Sequence, residues 1–191
     1  MRKIVFDIET RNIFSDVGSN NPADLDISVV CIHDSKDDKY SSYTQEELPA
    51  LWPIIEKADM LIGFNSEHFD IPLLNKYYSG DLTKIKSVDL LKEIKNSLGR
   101  RIKLDTIAEA TLGKNKTGNG LDAIAWWNKG EIEKIKKYCI EDVKITKEVY
   151  EFALKNKYLC YKDNGEIKKI PINSTDWEKE EKTSTLTHTL F

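Results

Sequence analysis

Three short segments place carboxylates where the surrounding pattern calls for packing: Phe6-Asp7-Ile8-Glu9-Thr10, Asn65-Ser66-Glu67-His68-Phe69-Asp70 and Tyr138-Cys139-Ile140-Glu141-Asp142. A buried carboxylate is unfavourable unless positive charge or hydrogen bonds compensate it. Acids gathered at one spot repel one another, and a divalent cation is the usual remedy. The chemistry open to such a set is metal-assisted hydrolysis of a phosphodiester.

Each segment also has a plainer explanation. Asp7 and Glu9 are two apart on an expected strand, so both leave the same face. On a central strand that face is covered and the pair needs a cation, whereas at a strand end it projects harmlessly into water. Asp70-Ile71-Pro72 is helix-start chemistry, with Asp70 as N-cap and the proline in the first turn. Asn65, directly after an apolar strand, suits a turn. The carboxyl end of a strand entering a helix is nevertheless a favoured location for sites in open α/β sheets. Tyr138 and Asp142 are four apart, hence neighbours on one helix face. Asp142 falls inside the apolar stripe of that helix and Tyr138 at its border. The alternatives for Asp142 are an exposed helix edge or a buried ion pair with a lysine such as Lys103. Three such signals in one chain, each on a suitable element, carry more weight together than apart.

The elements that must position these residues follow from periodicity and punctuation. Residues 2–9 are apolar on both faces at Ile4, Val5 and Phe6, as in the centre of a sheet. Residues 27–33 and 39–44 read as an antiparallel pair around Asp34-Ser35-Lys36-Asp37-Asp38. A helix over 45–57 leads to a short strand over 60–64, and another helix runs from 70 or 71 to 78. Segments starting at Leu104-Asp105 and Leu121-Asp122 read as short helices with aspartate caps, stopped by Gly113 and Gly130. The stretch between them, 113–120, is a basic loop. The longest helix covers 131–155, with a stripe at Ile132, Ile135, Cys139, Val143, Val149 and Ala153. Asn164-Gly165 between 158–161 and 167–170 is a two-residue hairpin signal. Strands first, then helices interleaved with strands, predict an α/β domain with a mixed central β-sheet flanked by helices.

A chain of 191 residues with 40% hydrophobic content supports one core. The net charge of −3 argues against tight non-specific binding of nucleic acid. Basic residues are still grouped at Lys92, Lys95, Arg100, Arg101 and Lys103, at Lys114 and Lys116, and at Lys134, Lys136 and Lys137. Such runs either track phosphates or are solvated faces. Three scattered cysteines give neither a disulfide framework nor a zinc pattern and suit a reducing compartment. With no apolar leader or membrane-length run, a cytoplasmic protein that does not engage membranes is expected.

The three segments together resemble the motifs of the DEDD superfamily of 3′→5′ exonucleases. The match is to the branch with Tyr-x-x-x-Asp, and most of all to the proofreading exonuclease domain of family B DNA polymerases. Leu104-Asp105-Thr106-Ile107-Ala108 through Gly113 is similar to that domain's intervening helix. The likeness covers residues 2–155 and lacks a polymerase domain. It implies a ribonuclease H-like fold over 1–172, ending in the hairpin, with 173–191 as a flexible or partner-binding tail. It implies Asp7, Glu9, Asp70 and Asp142 as ligands of two Mg²⁺ or Mn²⁺ ions and as catalytic residues. Tyr138 would orient the attacking water; a free phenol titrates near pH 10, too high for a base. Asn65, Phe69 and the backbone at Ile8 and Thr10 would contact the terminal nucleotides. The expected substrate is the 3′ end of single-stranded DNA, and the products are nucleoside 5′-monophosphates. An RNA 3′→5′ exonuclease remains open, because ribonuclease D-like enzymes share the four acids. So does a nucleic-acid-binding accessory subunit with little turnover, and a replication or repair protein as partner. Of the adjacent Trp126 and Trp127, one is expected in the core and the other is free to stack on a base. Leu190-Phe191 matches only the last two positions of a sliding-clamp binding tail and is discounted.

Overall fold

The structure, a computed structural model, describes residues 1–114 and 120–179. Most of the expected basic loop, at 115–119, and the end of the tail, including Leu190-Phe191, lie outside the described residues. Among the described residues, fourteen α-helices and β-strands follow one another: β1 (Lys3–Thr10), α1 (Phe14–Val17), β2 (Ile27–Asp34), β3 (Lys39–Thr44), α2 (Leu48–Ile55), β4 (Met60–Gly63), α3 (Asp70–Asn75), β5 (Ser87–Asp89), α4 (Leu90–Leu98), α5 (Leu104–Leu112), α6 (Gly120–Asn128), α7 (Ile132–Asn156), β6 (Tyr158–Asp163) and β7 (Glu166–Pro171). Five strands form one sheet in the order β3-β2-β1-β4-β5. The β3-β2-β1 half is antiparallel, whereas β1-β4 and β4-β5 are parallel. The sheet is therefore mixed, with helices on both faces, as the α/β pattern predicts.

β1 sits in the middle and its alternation sorts the core. Ile4, Phe6 and Ile8 pack on one face with Leu48, Leu51 and Ile55 of α2 and Ile71 and Leu74 of α3. Val5 points the other way, into a cluster with Val29, Cys31, Ile62 and the α7 residues Ile135, Cys139, Val143 and Val149. Asp7 and Glu9 share the parity of Val5, so they leave the sheet towards α7. The Cys139 thiol donates to the Asp7 carbonyl at 3.4 Å, which fixes how close that helix lies.

α7 is the longest element, 25 residues, and its expected stripe is buried from Ile135 to Ala153, with Ile132 only half-buried. The gap in that stripe between Val143 and Val149 is filled by Ile145, and a second buried line runs through Tyr138, Asp142, Thr146 and Tyr150 at i, i+4 spacing. Asn164 (φ 49°) and Gly165 (φ 86°) both occupy the left-handed region between β6 and β7, as a type I′ hairpin turn requires.

Four local expectations need correction. Asp70 is not an N-cap: Phe69 holds that place, and Asp70 lies in the first turn of α3 with its side chain buried. Asp105 likewise is in the first turn of α5, whose N-cap is Lys103. The pair β5 and α4 goes beyond the expected elements, because three residues of strand are too few to show a period. Residues 173–179, the described part of the expected tail, are packed: Trp177 stacks on Tyr150 at 5.3 Å between ring centroids, and Glu178 accepts from Lys3 at 2.5 Å and from the Tyr150 hydroxyl at 3.1 Å. A lone aromatic in a polar sequence gives no periodicity from which that anchorage is legible.

Candidate metal centre

The acids of the first and third segments meet. Asp7 and Glu9 on β1 and Asp142 on α7 offer ligand oxygens that all lie within 4.8 Å of one another. Glu9 (8% exposed) and Asp142 (5%) are buried, and Asp7 is partly so. This excludes the strand-end and exposed-helix explanations, since both require water around the carboxylates. Their field is felt next door: burial, then Cys31, then Asp7 and Glu9 push the Cys139 thiol well above its ordinary range. An oxygen-only set of three carboxylates, two of them buried, fits a hard divalent cation such as magnesium or manganese.

Asp70 is not among these three acids and is held differently. Its carboxyl is pushed up to about 8 by burial and by the charge of Asp89, against the backbone N–H groups of Asp70 and Ile8, which pull it down. The Ile8 contact ties Asp70 to the backbone of β1. The parallel ladder between β1 and β4 ends at Val5, which leaves the backbone of Ile8 open to α3 on that side.

Asp89 is the residue that sequence reasoning missed. It ends β5, is 4% exposed, and collects four backbone donors. Its Oδ1 accepts from Asn65 (2.8 Å), Leu91 (3.0 Å) and Lys92 (3.3 Å), and its Oδ2 from Glu67 (3.1 Å). One buried carboxylate thus caps α4 and ties down the 65–69 loop that leads into Asp70. The cap was legible: Asp89 precedes Leu90, Leu91, Ile94 and Leu98, with Gly99 as the stop. The loop begins at Gly63, where any Cβ would collide with the Ser66 side chain. It passes through Asn65 at φ 68°, a left-handed conformation that asparagine tolerates.

Three of the four expected substrate contacts fall together. Ile8, Thr10 and Phe69 line a groove of about 580 Å³ with Glu9, Phe14, Leu25, Lys103 and Ile124. Phe69 is only partly buried and meets Phe14 edge to face at 6.1 Å. Asn65 lies elsewhere, on a second depression beside Asp89, where Arg101 donates to its Oδ1 at 2.6 Å. Tyr138 is buried one turn before Asp142, its ring edge-on to Trp126 at 5.9 Å. Neither tryptophan is fully in the core or fully free. Both are half-buried, and the Arg11 guanidinium covers Trp127 at 4.3 Å from the ring centroid.

Comparison with known proteins agrees with the fold. A family model described as the RNase H superfamily matches residues 4–154. Among solved structures, the family B DNA polymerase of the hyperthermophilic archaeon Pyrobaculum calidifontis is similar over 81% of this chain, with 19% sequence identity and a TM-score of 0.63. The chain spans only 24% of that polymerase, and identity this low speaks to fold alone. No curated protein matches the chain. Among the described residues no helix is long and apolar enough to cross a membrane.

Proposed function

The chain belongs to the RNase H superfamily, and from this we propose that it is a metal-dependent 3′→5′ exonuclease acting on single-stranded DNA. The observation that carries the reading is the convergence of Asp7, Glu9 and Asp142 within 4.8 Å, next to an apolar groove. Asp7, Glu9 and Asp142 would hold one magnesium or manganese ion, and Asp70 with Asp7 a second. Such ions supply a water nucleophile at neutral pH and stabilise the leaving oxygen of an in-line displacement.

The chain's own residues do the rest. The groove lined by Ile8, Thr10 and Phe69 receives the terminal nucleotide, with Phe69 and Phe14 as apolar walls and Lys103 at its rim for a phosphate. Backbone at Ile8 and Thr10, next to the carboxylates, sets how far the 3′ end enters. The Tyr138 hydroxyl orients the attacking water from the helix that carries Asp142. Asn65 completes the contacts through the loop clamped by Asp89. Cleavage of the last phosphodiester with water releases a nucleoside 5′-monophosphate and leaves a new 3′ hydroxyl.

The test is a digestion time course on 5′-labelled single-stranded DNA and RNA of equal sequence, with magnesium or manganese, beside Asp142→Ala. A metal-dependent ladder shrinking from the 3′ end, absent in the variant, is the expected result. Faster loss of the RNA would transfer the assignment to that polymer. Binding of either strand without cleavage would leave an accessory subunit instead.

A further inference from the structure

Resting on the reading above, we propose that the depression beside Asn65 is a second nucleic-acid site, which takes the phosphates of the single strand upstream of its cleaved end. Its cavity of about 370 Å³ is lined by Asn65, Glu67, His68 and Asp89 and by Lys92, Lys95 and Asn96 of α4, with Arg101 at one side. Lys92, Lys95 and Asn96 are three and four residues apart, so one helix face presents them all. Lys92, Lys95, Asn96, Arg101 and His68 are exposed.

The two acids in this lining do not oppose an anion equally. Asp89 is turned inward, with both oxygens taken by backbone N–H groups. Glu67 is held at its two oxygens by the Ser87 hydroxyl (2.7 Å) and the Lys92 ammonium (2.5 Å). The Arg101 guanidinium bonds the neutral Asn65 amide, which leaves its charge uncancelled by that contact. Lys95 and Arg101 are therefore the cations placed to meet a charged ligand. On a chain of net charge −3, this grouping of cations is local rather than a general property of the surface.

Position supports continuity with the first groove. β1, β4 and β5 run parallel, and Thr10, Gly63 and Asp89 are their carboxyl ends. Both depressions therefore open at the same edge of the sheet, where ligands of open α/β sheets bind. The 65–69 loop borders both: Phe69 lines the first, and Asn65, Glu67 and His68 line the second. A strand whose last nucleotide lies against Phe69 has its next phosphates over this loop, within reach of α4.

The experiment measures anisotropy of a fluorescein-labelled oligothymidylate in EDTA, where nothing is cleaved, across a range of salt. Wild type is compared with Lys95→Gln, Arg101→Gln and, as a control, Lys168→Gln on β7. Removing one cation that neutralises a phosphate lowers the slope of log Kd against log salt by about 0.7. Both site variants should show this decrease and bind several-fold more weakly at low salt, while the control matches wild type. If both site variants bind like wild type, or the control weakens equally, the second site is refuted. Hydrolysis of the p-nitrophenyl ester of thymidine 5′-monophosphate by wild type, in magnesium or manganese, is run alongside. This substrate has no upstream strand, so its hydrolysis without altered salt slopes overturns the second site and leaves the exonuclease standing. Altered slopes in a protein that, with magnesium or manganese, neither hydrolyses this ester nor shortens the 5′-labelled strands preserve the phosphate site and overturn the exonuclease.

Discussion

Replacing Asp7 with asparagine should stabilise the metal-free protein and remove its response to magnesium. Asp7 belongs to a set of three carboxylates whose ligand oxygens lie within 4.8 Å of one another. At that separation two full charges in an effective dielectric of about 20 repel by about 3.5 kcal/mol. Asp7 enters two of the three pairs, and asparagine keeps its shape. It is also the most exposed member, so solvent screens part of the repulsion. A net gain of about 1–2 kcal/mol in EDTA is expected, a few degrees in Tm for a domain of this size. Saturating magnesium then stabilises wild type by about 2.7 kcal/mol at a hundredfold excess over Kd, and leaves Asp7→Asn where it was. Urea denaturation with and without magnesium reads both effects, and the order of the two proteins should invert between the two conditions. If Asp7→Asn were the less stable protein in EDTA, the carboxylates would not be repelling. If both proteins gained equally from magnesium, Asp7 would not be a ligand.

Asp89→Asn should lose charge-assisted acceptance of four backbone donors, lowering stability by about 2–3 kcal/mol. Loosening of the 65–69 loop should lower turnover as well, and a variant with unchanged stability and turnover would show that the clamp is idle. Tyr138→Phe should slow turnover while keeping the stabilisation by magnesium, and an unchanged rate would remove Tyr138 from the mechanism. Trp177→Ala should cost about 3 kcal/mol on denaturation, since a buried, stacked ring leaves a cavity on Tyr150; a negligible loss would mean that residues 173–179 do not contribute to the fold. The Arg2 guanidinium, with bonds of 3.1 and 2.5 Å, holds the Asp34 carboxyl below its ordinary value of 3.8. That contribution is complete above the ordinary value and lost as pH falls through the lowered one. Asp34→Asn should therefore be less stable than wild type near neutral pH and lose less stability on acidification, and parallel acid titrations would contradict this.

The sequence determined which residues could do chemistry and most of the elements that carry them. Parity along β1 put Asp7 and Glu9 on one face, and helical periodicity put Asp142 among the apolar residues of α7. Both are local rules, and both survive because hydrophobic burial enforces them. The Asn164-Gly165 turn was legible for the same reason: only a few residue types adopt two consecutive left-handed conformations. What the sequence left open was which distant groups meet. Tertiary packing buries Glu9 and Asp142, and this removed the solvent-exposed alternatives for the acids. It also placed Asp70 against the backbone of Ile8 and under the charge of Asp89, about twenty residues away in the chain. Asp89 itself shows the limit: its role as an N-cap is written in the residues after it. Its grip on Asn65 and Glu67 exists only because β4 and β5 lie side by side. The proposed path from Phe69 across the loop to Lys95 and Arg101 likewise rests on the sheet edge, since no spacing in the chain relates residues that converge only when parallel strands end together.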